Sequence, residues 1–108
     1  MAVDIPKLFN EQLPALLTKN AEEAKSINAT YQMNITGAGS WHLDLTSAVP
    51  KVTQGEEPAD CTITIAADDF QKLYESPAVG MQLFFAGKLK IAGNQMLGMK
   101  LQKIFSLK

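Results

Sequence analysis

The 108-residue chain contains no arginine; ten lysines face eleven acids, for a net charge of −1. Nucleic-acid binders use a strong basic face and favour Arg for base edges, so no nucleic-acid partner is expected. A single cysteine excludes an internal disulfide and a cysteine-built zinc cage. A single histidine excludes the common multi-histidine metal sites. No metal or other cofactor is implied. No stretch approaches the roughly 18 apolar residues of a membrane span. The start, Met1 to Leu17, lacks a basic leader and an uninterrupted apolar run, so no signal peptide is expected. The lone thiol suits a reducing compartment, and the sequence reads as soluble and intracellular.

What is present suffices for one core. The length fits a single domain over residues 1–108, and an apolar share of 46% offsets ordering entropy well enough to exclude disorder. Ile5, Leu8, Phe9, Leu13, Leu16 and Leu17 recur at helical spacing, with Asp4 placed to cap the helix and Pro6 in its tolerated first turn. Pro14 removes a donor inside that pattern and predicts a kink or a break. Residues 20–25 continue as a polar, helix-permissive connector. The period then changes to two. Tyr31, Met33 and Ile35 share one face, the turn Gly37-Ala38-Gly39-Ser40 follows, and Trp41, Leu43 and Leu45 share a face again. A weak third strand at 49–53 carries Pro50, which suits an edge. A fourth strand at 61–66 puts Cys61, Ile63 and Ile65 together.

Asp68 is a candidate N-cap for a helix bearing Phe70, Leu73 and Tyr74. Ser76-Pro77 ends that helix and starts another with Val79, Leu83 and Phe84. Leu89 and Ile91 make a short fifth strand between Gly87 and Gly93. A last helix is expected from Gln95 to about Phe105. Helices gathered around a five-stranded, mainly antiparallel sheet define an α+β fold.

Catalytic constellations are sparse. His42 alternates outward and Cys61 inward, so the two cannot form a nucleophilic dyad across the sheet. Cys61 reads as packing and His42 as a surface residue. Gly37-Ala38-Gly39 has too few glycines for a dinucleotide fingerprint. Asp68-Asp69 lacks further ligands for a metal and reads as a helix start. An enzyme using Tyr31, His42 or Asp44 as acid or base would need titratable groups inside a pocket, whereas His42 and Asp44 alternate outward. Met81, Met96 and Met99 gather with Phe84, Phe85 and Phe105 in the last third. Such soft, adaptable side chains suit either an ordinary core or a lipid pocket.

The run Phe84-Phe85-Ala86-Gly87-Lys88-Leu89-Lys90-Ile91-Ala92-Gly93-Asn94, continuing through Met99-Lys100-Leu101-Gln102, resembles the sterol carrier protein type 2 domain. Residues 59–65, Asp69-Phe70 and Trp41-His42-Leu43-Asp44-Leu45 resemble earlier strands and a helix of that family, in family order. The resemblance implies an apolar tunnel between a five-stranded sheet and its covering helices. It further implies non-enzymatic binding and transfer of a fatty acid, fatty acyl-CoA, phospholipid or sterol. Carried over by position, Phe70, Leu73, Phe84, Phe85, Met96, Met99 and Leu101 are expected in the tunnel wall, with Ile63 and Ile65 as its floor. Ala86 stands where the family often has a glutamine. The segment before residue 31 is slightly acidic, unlike the basic membrane-docking helix usual in the family.

The last residues, Ser106-Leu107-Lys108, transpose the peroxisomal Ser-Lys-Leu address, which points to the cytoplasm. A second reading is an interaction module docking on a lipid-metabolising enzyme, or on a second copy, through its apolar last helix; the oligomeric state is left open. The net charge hides an asymmetry. Residues 1–71 sum to −6 and residues 72–108 to +5, with Glu75 the last acid. By the family's order, Lys88, Lys90, Lys100, Lys103 and Lys108 fall at the tunnel's end of the domain, which implies either a basic rim for an anionic head group or transient membrane contact, or a solvated lysine surface balanced by acids from elsewhere in the chain.

Overall fold

The structure is a computed structural model that describes residues 4–98 and 100. Met99, Leu101, Lys103 and Lys108, named above, lie outside the described residues, as does the expected last helix beyond residue 100. The chain opens with α1 (Ile5–Lys7), where the Asp4 carboxylate accepts from the Lys7 N–H at 3.1 Å. A π-helical turn, Leu8–Gln12, leads into α2 (Leu13–Lys19). Pro14 therefore neither breaks the helix nor leaves it regular. In a regular turn Asn10 would lose its donor and meet the proline ring. The widened turn instead lets the Leu13 N–H reach back to the Leu8 carbonyl. Ile5, Leu8, Phe9, Leu13 and Leu17 stay on one buried face throughout. The polar connector is itself helical, as α3 (Ala21–Ile27), and ends at Asn28 in the left-handed conformation.

Four strands follow in part: β1 (Thr30–Thr36), β2 (Gly39–Asp44), β3 (Lys51–Gln54) and β4 (Cys61–Ala66). Next come α4 (Ala67–Glu75), a 3₁₀ turn at Pro77–Val79, α5 (Gly80–Phe85) and β5 (Leu89–Gly93). Residues 95–98 are helical. The sheet order is β3-β2-β1-β4-β5; β1 and β4 run parallel, and the other neighbours are antiparallel. Helix α4 begins at Ala67 with Ala66 as its cap residue, so Asp68 is not the cap. Asp68 and Asp69 instead occupy the first turn, where the helix dipole favours a negative charge.

Alternation sorts the sheet as expected on its helix-covered face. Met33 lies between Trp41 and Ile63, Ile35 beside Ile65, and Ile63 beside Ile91. Tyr31, Met33, Ile35, Trp41, Leu43, Cys61, Ile63 and Ile65 are all at most 2% exposed.

The outer face departs from the expectation at one place. His42 alternates outward, yet it is buried, and so is Gln32 beside it. The crossing from β3 to β4 passes over them. Gln32 donates to the Gly55 carbonyl at 2.9 Å and accepts from the Glu57 N–H at 3.0 Å, while His42 Nδ1 meets the Glu57 carboxylate at 3.3 Å. Alternation assigns a side chain to a face but does not show what loop crosses that face.

Candidate functional site

The apolar layer of interest lies between β4, which has β5 at the sheet edge beside it, and the helices α4 and α5. Period two places Ile63 and Ile65 on the covered face of β4, flanked by Ile91 and Leu89 of β5. The amphipathic spacing of α4 turns Phe70 and Leu73 onto that face. Both join the same core as Ile63 and Ile65, together with Leu83, Leu89 and Leu97. Phe84 is half-buried and packs against that cluster. Of the expected wall, then, Ile63, Ile65, Phe70, Leu73 and Phe84 are brought together. Phe85 and Met96 stand at the surface, 77% and 69% exposed. Met99 and Leu101 lie outside the described residues.

Phe70 is held from behind by a row of rings. Phe9 stacks on Trp41 at a centroid distance of 4.8 Å and 12°, meets Phe70 at 5.6 Å and 43°, and Phe70 in turn lies 6.2 Å from Tyr74. The Trp41 indole N–H donates to Asn10 Oδ1 at 2.9 Å, which fixes the row to the π-helical turn. Phe9 reads from the sequence as one more helix-face residue; its contact with Phe70 spans sixty residues and has no local signal.

The turn after α5 explains the glycine of the Gly87-Lys88-Leu89-Lys90-Ile91 run. The Gly87 N–H bonds the Phe84 carbonyl at 3.1 Å, and the Lys88 N–H bonds the Leu83 carbonyl at 2.9 Å. This pair of bonds closes the helix only if the residue after the cap is left-handed, and Gly87 has φ +77°. The turn delivers Leu89 and Ile91 to the covered face and Lys90 to the outer one, while Lys88 and Lys100 are exposed. Of the expected basic rim, Lys90 thus lies on the sheet face away from the helices.

Two ionisable groups, Tyr31 and Cys61, neighbour each other across the covered faces of β1 and β4. Burial, and secondarily the proximity of Cys61, push the Tyr31 phenol well above its ordinary range. Burial, then the Asp60 charge, push the Cys61 thiol up. Both are therefore neutral at physiological pH and present no charge to the interior. Tyr31 instead donates to the Leu97 carbonyl at 2.6 Å, tying residues 95–98 to the sheet. His42 lies on the opposite face from Cys61, so the two form no dyad. Among the described residues no three His, Cys, Asp or Glu side chains converge where a metal could sit. Among the described residues, the layer between β4 and the helices α4 and α5 is apolar, and the ionisable pair Tyr31 and Cys61 on the covered face is neutral.

Comparison with known proteins agrees with this geometry. The SCP-2 sterol transfer family profile matches residues 9–106. Hydroxysteroid dehydrogenase-like protein 2 of Mus musculus is 38% identical over 89 residues, covering 79% of this chain and 18% of that protein. The chain thus spans about a fifth of the length of the curated relatives it matches. Sterol Carrier Protein 2 from Yarrowia lipolytica, in its apo form, is 31% identical with a TM-score of 0.67, covering 94% of this chain and 84% of that one. The palmitated SCP2L2 of Aedes aegypti shares the fold at 24% identity and a TM-score of 0.64, covering 97% of this chain and 95% of that one. With an α+β fold, a five-stranded mixed sheet and a profile match over nearly its whole length, the chain belongs to the SCP-2 sterol transfer family.

Proposed function

We propose that the protein is a non-enzymatic lipid carrier that binds an acyl lipid in an apolar tunnel between β4 and the helices α4 and α5. The observation that carries the reading is the joined apolar layer of Ile63, Ile65, Phe70, Leu73 and Phe84, free of inward charge, in a chain of this family. Affinity comes from apolar burial, at about 0.8 kcal/mol per methylene, so longer chains bind more tightly until the space is full. Specificity comes from the shape of the wall rather than from a polar head-group clamp. The palmitated Aedes aegypti protein supports a fatty acid as the first ligand to try.

Helix α5 is the element that parts to admit the ligand, because it buries only Gly80 and Leu83 of its six residues. Phe85 and Met96, both exposed, then flank the entrance. The test is native mass spectrometry of gently purified protein, followed by titration with a fluorescent fatty acid. A co-purified lipid and saturable binding are expected. Absence of both rejects the carrier reading.

A second reading rests on the relatives. The matched hydroxysteroid dehydrogenase-like protein is about five times longer than the matched region, so the domain is one part of a longer chain there. Docking of this chain on a lipid-metabolising enzyme predicts a stable complex that survives removal of lipid.

A further inference from the structure

Residues 95–98 are held to one end of the sheet from three sides. The Asn94 N–H donates to the Asp60 carbonyl at 3.0 Å, just before β4, and Asn94 Oδ1 accepts from the Met96 N–H at 3.0 Å. Asp60 is itself fixed to β1: its N–H donates to Thr30 Oγ1 at 3.0 Å, and its carboxylate accepts from the Thr30 N–H at 3.1 Å. From the covered face, the Tyr31 hydroxyl donates to the Leu97 carbonyl at 2.6 Å. On the third side Gly98 lies so close to β5 that a Cβ there would come within 2.7 Å of Ile91 Cδ1. Of residues 95–98 only Leu97 is buried, in the same core as Ile63, Leu73 and Leu83.

Leu97, Tyr31 and Ile91 thus close the apolar layer at the end where Cys61 pairs with Gly93. At the other end Ile65 pairs with Leu89, next to the Gly87 turn and exposed Lys88. The two ends differ in chemistry. At the closed end the phenol proton is engaged by Leu97, the Cys61 thiol is neutral, and the neighbouring charge is that of Asp60. A carboxylate buried there would lack a donor and face a like charge, whereas the other end carries an ammonium in water. We infer that Leu97, held in place by Tyr31 and backed by Ile91, is the end stop for the acyl chain and sets the longest fatty acid that fits. Resting on the carrier reading, this places the methyl end against Leu97 and the carboxylate toward Lys88. A stop discriminates only if it does not yield. Here the Tyr31 hydrogen bond and the close approach of Gly98 to Ile91 hold the backbone that carries Leu97, so a chain that is too long must break packed contacts instead of pushing one side chain aside. Leu97 touches the ligand; Tyr31 is a positioning residue that acts through it.

The test is titration of the full chain with a series of saturated fatty acids of increasing length. Affinity should rise about fourfold per methylene up to a cut-off, then level or fall. Leu97→Ala opens apolar space at the stop and should move the cut-off about two methylenes longer. Tyr31→Phe keeps the ring but releases the Leu97 carbonyl. It should blunt the cut-off, so that the first chain too long for the wild type binds within about threefold of the best one. An unmoved cut-off in Leu97→Ala, or one as sharp in Tyr31→Phe as in the wild type, overturns the inference. So does a loss of affinity by one factor at every length, which is what destabilisation alone produces. The wild type supplies a reading that needs no variant. A bound fatty acid isotope-labelled at its terminal methyl carbon should show nuclear Overhauser contacts to the methyl groups of Leu97 and Ile91. Contacts to Leu89 in their place reverse the orientation and overturn the stop. If no fatty acid binds saturably at any length, the carrier reading itself fails; saturable binding with no cut-off defeats the stop alone.

Discussion

Phe9 offers the sharpest test of how the fold supports the site. Its ring is fully buried, stacked on Trp41 at 4.8 Å and tilted against Phe70 at 5.6 Å. Phe9→Ala removes the middle of that row. Phe→Ala in a core costs about 3–5 kcal/mol, and the value depends on how far the site can collapse. Collapse is hindered here, because Trp41 is pinned by Asn10 and Phe70 is engaged with Tyr74. A loss of about 4 kcal/mol is therefore expected, against a total of about 5–15 kcal/mol for a domain. The melting temperature should fall by about 15–30 °C. Phe9→Leu keeps most of the volume but loses ring stacking, and should cost only about 1–2 kcal/mol. Urea unfolding followed by Trp41 fluorescence reads both. Phe70 should also lose its fixed orientation, so Phe9→Ala is expected to weaken fatty-acid binding although Phe9 lies behind the proposed wall. A cost for Phe9→Ala under about 1.5 kcal/mol, or a Leu variant as unstable as the Ala variant, refutes the argument.

Two further outcomes follow from buried groups and backbone. Tyr31 and Cys61 both titrate above their ordinary ranges when folded, through burial first and then a neighbouring charge. The unfolded chain therefore releases protons first as pH rises. Their contribution is intact below the ordinary values of about 8.5 and 10, and is lost as pH climbs past them. Urea midpoints should fall from about pH 8.5 upward, and Cys61→Ala with Tyr31→Phe should flatten the slope; an unchanged slope defeats the assignment. Gly93 has φ +87°, and a Cβ there would run into the Asp60 carbonyl oxygen, whereas Gly55 has φ +127° with open space around it. Gly93→Ala should cost about 2 kcal/mol or more and Gly55→Ala about half that, and equal losses would show that contact with Asp60 adds nothing.

The sheet was legible because period two is a strong local signal. Tyr31-Met33-Ile35, Trp41-Leu43 and Cys61-Ile63-Ile65 all face the helices as their spacing implies. The family resemblance named apolar side chains that periodicity alone does not group; of these Ile63, Ile65, Phe70, Leu73 and Phe84 join one core, whereas Phe85 and Met96 stand at the surface. The order of strands was not legible, and neither was what it causes. Because β4 returns beside β1, the preceding loop must cross the outer face, and that crossing buries Gln32 and His42. Asp68 looked like a cap because Asp favours that position, but β4 runs straight into α4 and leaves Ala66 there. Local capping preference of about 1 kcal/mol yields to strand continuity. At Pro14 the sequence showed the conflict but not its resolution, since a π-helical turn keeps Leu13 and Leu17 on the buried face where a break would release them.

The distribution of burial makes a last prediction, about where the domain opens. The segment from Ile5 to Lys19 buries five large side chains and is fixed through Phe9 and Asn10 to the sheet. Strand β1 is paired on both sides. Helix α5 buries only Gly80 and Leu83, and follows a single 3₁₀ turn. Local opening is drawn from segments with few buried contacts, so amides of α5 should exchange hydrogen fastest among the helices that cover the sheet, and those of β1 slowest. Burying an acyl chain of about fifteen methylenes offers about 12 kcal/mol, enough to exceed the cost of displacing one short helix but not of separating β1 from its neighbours. A saturating fatty acid should then slow exchange in α5 more than in β1, because the bound chain supplies the apolar contacts that α5 lacks. Exchange in α5 as slow as in β1 without ligand would place the opening elsewhere. Slowing confined to α1 and α2 would move it to the far side of the aromatic row, beyond the layer formed by Ile63, Phe70 and Phe84.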